Sequence, residues 1–262
     1  MKLLFWRRPR VPVLVLHGVL ARRGALNFTA CAPMIDRAFA LATKPGHLVL
    51  DIESPGGSPV QSDLIASHIR RLAGEKSVVV HAVIGEVGAS GGYWLACAAD
   101  RILANPMSIV GSIGVVAGGF GFEEALSRLG VRRRLYTAGT SKARNDPFVP
   151  ERPEDVAFTR ALLEELHERF KDWVRARRAG RLKEDEAALF DGGYMLGGRA
   201  LKAGLIDGFG DVAGLVRELG GEKAVAATIR PRRRGLLARL PQLMLDAAIE
   251  AREERRGPRL GF

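Results

Sequence analysis

Apolar residues gather in short runs, separated by longer stretches in which they recur every three or four positions. The runs at residues 11–16, 48–52, 78–84, 102–104 and 131–136 are rich in Val, Ile and Leu and predict β-strands. Helical patterns at 30–42, 60–72, 92–98 and 122–129 fill most of the gaps. This β-α-β rhythm belongs to a mostly parallel sheet covered by helices, so the expected class is α/β. The longest helix is expected over 155–179, where Phe158, Leu162, Leu166, Phe170 and Trp173 form an apolar stripe at helical spacing. That stripe is suited to the core or to a subunit interface. Pro147, Pro150 and Pro153 precede it and break the path from sheet to helix.

The chain has 262 residues, 47% of them hydrophobic, which is enough for a sizeable core in one large α/β domain or two small ones. A formal charge of +11 favours negatively charged partners without choosing among nucleic acid, anionic lipid and acidic peptide. The only two cysteines, Cys31 and Cys97, sit in apolar helical segments and read as small buried residues. No two histidines stand four residues apart, so a metal site is not expected. The opening residues, with Arg7, Arg8 and Arg10 before an apolar run, superficially resemble a signal sequence. His17 and Gly18 interrupt that run and Arg22 and Arg23 follow it, which favours a first strand. No stretch reaches the roughly 18 to 20 apolar residues needed to span a bilayer.

Three regions are expected: a basic N-terminal segment (1–10), a catalytic domain (11–222) and a basic amphipathic tail (223–262). In the tail Arg230, Arg232, Arg233 and Arg234 precede Leu236, Leu237, Leu240 and Leu243. Such a tail packs on itself, lies solvated, or touches an anionic membrane surface; nucleic acid is the least expected partner.

Candidate chemistry centres on Gly88-Ala89-Ser90-Gly91-Gly92, which ends one strand and opens a helix, so that a tight turn projects the Ser90 hydroxyl. A Ser-His-Asp triad on this Gly-x-Ser-x-Gly pattern needs a downstream histidine. Only His167 follows, inside the long helix rather than on a loop, so the serine needs another base. Ser54-Pro55-Gly56-Gly57, after the second strand, offers free amides; one of those of Gly56 and Gly57, with that of Gly91, forms a candidate oxyanion hole.

Ser-Pro-Gly-Gly, then Ala-Ser-Gly-Gly-Tyr-Trp, then Gly-Ser-Ile-Gly-Val (111–115) in this order resemble the S49 serine peptidases of the signal peptide peptidase A type, single-domain form. The likeness continues through Tyr136 to Lys142 and Gly197 to Asp207, and covers about residues 11–215. It implies Ser90 as nucleophile, Lys142 as general base and Ser112 as a residue that holds the lysine. It also implies a ClpP/crotonase-like fold of repeated β-β-α units with a long C-terminal helical region. Hydrophobic or unstructured peptides, remnant signal peptides among them, are the implied substrates, cut by an endopeptidase that needs no cofactor. A homo-oligomeric ring, an octamer by expectation, is implied as the assembly.

A lysine amine has an ordinary pKa of about 10.4 and must lose about three units, near 4 kcal/mol, to act as a base at neutral pH. Burial of Lys142 in an apolar cleft is the expected cause. Two competing readings are a non-catalytic basic scaffold for membrane or nucleic acid, and a crotonase-like acyl-CoA enzyme. The expected location is cytoplasmic, with peripheral contact to the inner membrane through residues 3–6 and the tail.

Overall fold

The computed structural model describes residues 8–24, 26–42, 46–139 and 141–230. The predicted membrane-contacting residues 3–6 and all but the first residue of the arginine-leucine tail lie outside them. In chain order the elements are β1 (Arg10–His17), α1 (Phe28–Ala42), β2 (His47–Ser54), α2 (Pro59–Lys76), β3 (Val79–Ala89), α3 (Gly91–Ala96), β4 (Arg101–Ala104) and β5 (Ile109–Gly111). They continue as α4 (Glu123–Arg128), α5 (Pro153–Arg177), α6 (Glu186–Leu189), β6 (Tyr194–Leu196), α7 (Gly197–Ala203), β7 (Gly208–Phe209), α8 (Val212–Gly220) and β8 (Val225–Ile229).

The strands join in the order β6-β5-β3-β2-β1-β8, with β4 also on β3 and β7 on β4. Among the described strands only β5 and β6 run antiparallel, so the sheet is mixed and mostly parallel. Successive side chains of a strand point to opposite faces. Leu14, Leu16, Leu48 and Leu50 therefore join Ile35 and Phe39 of α1, Ile65 and Ile69 of α2 and Tyr93 of α3 in the main core. From the same strands, Val11, Val13 and Val49 meet Leu215 and Val216 of α8 on the other face. Local signals fix the helix ends: Ser58 caps α2 through the Gln61 amide, with Pro59 in the first turn.

Four expected strands and all five expected helices form at their predicted places. The strand expected at 131–136 does not form. Its residues are exposed and carry no ladder, because a strand needs a neighbour and this Arg-rich stretch has none within the described chain. The expected boundary at 222/223 precedes β8, which pairs with β1 from Arg10 to Leu14 and extends the sheet to Ile229. The apolar stripe of α5 divides: Phe170 is buried, whereas Phe158 and Leu162 are half exposed. Cys31 and Cys97 are buried and free, as expected. No helix among the described residues is long and apolar enough to cross a membrane.

Candidate active site

An irregularity in β3 builds the site. Ile52 of β2 pairs with Ile84, but Ser54 pairs with Gly88, so β3 takes up extra residues and bends. Its last three residues then pair with β5, leaving β4 on its first half. The bend brings the glycine turn after β2 against the Ser90 turn after β3. A Cβ at position 56 would come within 2.7 Å of the Gly91 nitrogen and 2.8 Å of the Ser90 Cβ, so only glycine allows this approach.

Ser90 lies between β3 and α3 with φ 51° and ψ −122°, a conformation L residues seldom adopt. The turn is held by the Ser90 N–H donating to the Gly111 carbonyl at 2.8 Å and by the Trp94 N–H donating to the Ser90 carbonyl at 2.9 Å. Tyr93, fully buried behind it, donates its hydroxyl to the Leu205 carbonyl at 2.7 Å. Burial pushes the phenol pKa well up and keeps this donor protonated.

Ser90 opens into a cavity of about 580 Å³. Its walls include Gly57, Gly91, Ser112, His167 and Asp191 together with apolar Pro55, Pro59, Trp94, Val115, Leu166 and Phe170. Of the three candidate oxyanion glycines, Gly57 and Gly91 line the cavity, and neither amide donates a hydrogen bond among the described residues. The Gly56 amide is instead committed to the Ser54 hydroxyl at 3.2 Å, which leaves Gly57 as the partner of Gly91. Ser112 shares the cavity with Ser90. Its backbone also has positive φ, 52°, and its N–H donates to the Gly193 carbonyl at 2.7 Å.

Lys142 is not brought to this cavity. It is exposed, contrary to the expected burial in an apolar cleft, and is absent from the cavity walls. Its loop rests on the first half of α5, where the Asn145 amide donates to the Thr159 hydroxyl at 3.0 Å and the Arg144 guanidinium lies 4.2 Å from the centre of the Phe158 ring. Phe158 and Leu162 beside it, and Val116, Phe120, Leu129 and Tyr136 between Ser112 and Lys142, are exposed large apolar residues.

Sequence reasoning did not place His167 and Asp191 at the site, because only tertiary packing lays α5 over α3. Trp173 donates from Nε1 to the Trp94 carbonyl at 3.0 Å, and Arg177 donates from Nε to the Cys97 carbonyl at 2.8 Å. Although Ser90, His167 and Asp191 line one cavity, they form no relay. The His167 Nε2 is bonded to the Ile113 carbonyl at 2.9 Å, and Asp191 accepts from the Gly193 amide at 2.7 Å. No cluster among the described residues gathers three His, Cys, Asp or Glu side chains in a metal-binding arrangement.

Among known proteins the chain resembles a region of a protein named as a transporter and several proteins named as proteases. The chain is 45% identical over 243 residues, 90% of its length, to a region making up 33% of the "Na(+)/H(+) antiporter NhaA" of Brucella melitensis. It is 29% identical over 225 residues to the "Probable protease SohB" of Haemophilus influenzae, covering 86% of this chain and 63% of that protein. With the "Probable protease SohB" of Buchnera aphidicola subsp. Schlechtendalia chinensis it shares 31% identity over 203 residues, 75% of this chain and 63% of that protein. The chain thus spans about a third of the first relative and less than two thirds of the other two. The family model described as Peptidase family S49 matches residues 72–226, more than half of the chain and inclusive of Ser90, Ser112 and Lys142. With that match and the serine turn at the mouth of the cavity, the chain belongs to peptidase family S49.

Proposed function

We propose that this chain is a serine endopeptidase in which Ser90 attacks the peptide carbonyl and the amine of Lys142 is the general base. The observation that carries the reading is the strained Ser90 turn, which opens into a cavity beside the uncommitted amides of Gly57 and Gly91. Lys142 accepts the Ser90 proton as Oγ bonds to the carbonyl carbon, and the carbonyl electron pair moves onto oxygen between the two glycine amides. The tetrahedral centre collapses by expelling the amine, which takes the proton back from Lys142. Water, deprotonated by the Lys142 amine, then adds to the acyl carbon, and the Ser90 oxygen leaves with the proton that Lys142 returns to it.

Because Lys142 is exposed outside the cavity, at the end of a segment that also exposes several large apolar residues, its meeting with a Ser90 is assigned to assembly of several copies. Burial of Val116, Phe120, Leu129 and Tyr136 against a second copy removes apolar surface from water and desolvates the amine in the same step. The apolar walls suit extended, hydrophobic or unstructured peptides, including remnant signal peptides. The overall arrangement proposed is of the ClpP/crotonase type.

The test is cleavage of an unstructured apolar peptide by the purified chain and by Ser90→Ala and Lys142→Ala. Both variants should remain folded and lose cleavage, and Ser90→Ala should also lose labelling by a fluorophosphonate. Wild-type cleavage by either folded variant would refute the assignment.

A further inference from the structure

We infer that His167 is a positioning residue, whose Nε2–H holds the turn that carries Ser112 and anchors the root of the segment leading to Lys142. The inference deepens the peptidase reading above and rests on it. A carbonyl oxygen can only accept, so at 2.9 Å from the Ile113 oxygen the His167 Nε2 bears a hydrogen. Among the described residues no other donor reaches that carbonyl.

The geometry around this bond gives it its role. Ser112 sits in a left-handed conformation that a serine keeps only when its surroundings hold it there. Two backbone bonds do so: the Ser112 N–H donates to the Gly193 carbonyl at 2.7 Å, and the Ser112 carbonyl accepts from the Gly114 N–H at 3.0 Å. His167, which also lines the cavity, supplies the third, on the peptide that joins Ile113 to Gly114. The Ile113 side chain is fully buried, but Val116 is 91% exposed and Phe120 80% exposed. From Val115 to Gly121 no hydrogen bond ties the described chain to the body. The Ile113 carbonyl is therefore the last backbone acceptor pinned before the chain departs toward Lys142. Loss of the clamp loosens the Ser112 turn and the departing segment, while the Ser90 turn keeps its own bond to the Gly111 carbonyl.

The experiment compares His167→Phe, which keeps the ring and loses the donor, with His167→Gln, which keeps an N–H at similar reach. For Ser90-dependent peptide cleavage, His167→Phe should lower kcat about 10- to 100-fold with KM changed less than about threefold, and His167→Gln should stay within about threefold of wild type in kcat. A kcat unchanged in the Phe variant, or lowered equally in both, would overturn the inference. A second measurement needs neither activity nor a variant. Nitrogen-15 resonances of the imidazoles in the full wild-type chain should show His167 as the Nε2–H tautomer with slow exchange of that hydrogen, whereas an Nδ1–H tautomer would overturn it. Failure of the peptidase reading would show separately, as cleavage that survives Ser90→Ala or Lys142→Ala.

Discussion

Replacing Arg178 with Met removes the guanidinium that joins the end of α5 to the segment after α7. The Arg178 side chain is 1% exposed and makes four hydrogen bonds: two to the Gly204 carbonyl at 3.1 and 2.7 Å, and two to the Asp207 carboxylate, both at 2.9 Å. Breaking a fully buried pair by removing one partner costs about 3–5 kcal/mol. Here Asp207 is 20% exposed and keeps the Ile102 amide at 2.7 Å and Arg181 at 3.3 Å, so the expected loss is lower, about 2–3 kcal/mol. For a chain of this size that corresponds to a fall in Tm of about 4–12 °C. Burial raises the Asp207 pKa, but the hydrogen bonds from Arg178 and the Ile102 amide outweigh it and leave the carboxyl below its ordinary value of 3.8. A carboxyl depressed by folding contributes stability that is complete above its unfolded pKa and is lost as pH falls through its folded one. Denaturant titrations should therefore show the full gap between wild type and Arg178→Met at pH 7 and a shrinking gap below about pH 4. A loss under 1 kcal/mol at pH 7, or a gap that stays constant into acid, would refute the coupling.

Two further outcomes follow from the geometry. Burial, then the neighbouring charges of His47 and Arg101, push the His81 pKa from 6.5 down to about 4, so the unfolded chain binds more protons between those values. Stability should fall as pH drops from about 6.5 toward 4, by at most about 3 kcal/mol, and His81→Phe should flatten that part of a denaturation-versus-pH curve. Gly56→Ala places a methyl against the Gly91 nitrogen at a residue with φ 101°, so peptide cleavage should drop by about 100-fold or more, with a stability loss of about 2–4 kcal/mol seen in thermal melts.

Much of the site was legible because close-approach and turn chemistry are written in local residue types. Ser90 between glycines, and Ser54-Pro55-Gly56-Gly57 after a strand, announced two tight turns at strand ends, and both occur there. Sequence could not tell which glycine amide stays free, since that depends on whether the Ser54 hydroxyl captures the Gly56 amide. It also misjudged residues 131–136, whose apolar and β-branched content has no ladder partner in the described chain.

By itself the sequence determined the α/β alternation, the two turn motifs and the peptidase resemblance, because these depend on periodicity and on backbone freedom at single residues. The tertiary structure alone decided that the irregular register of β3 sets the two turns side by side and that α5 lays His167 across the Ser112 turn. It also decided that Lys142 stands outside the cavity. These are contacts between residues dozens of positions apart, and no local pattern specifies which distant groups the packed core will bring within hydrogen-bond reach.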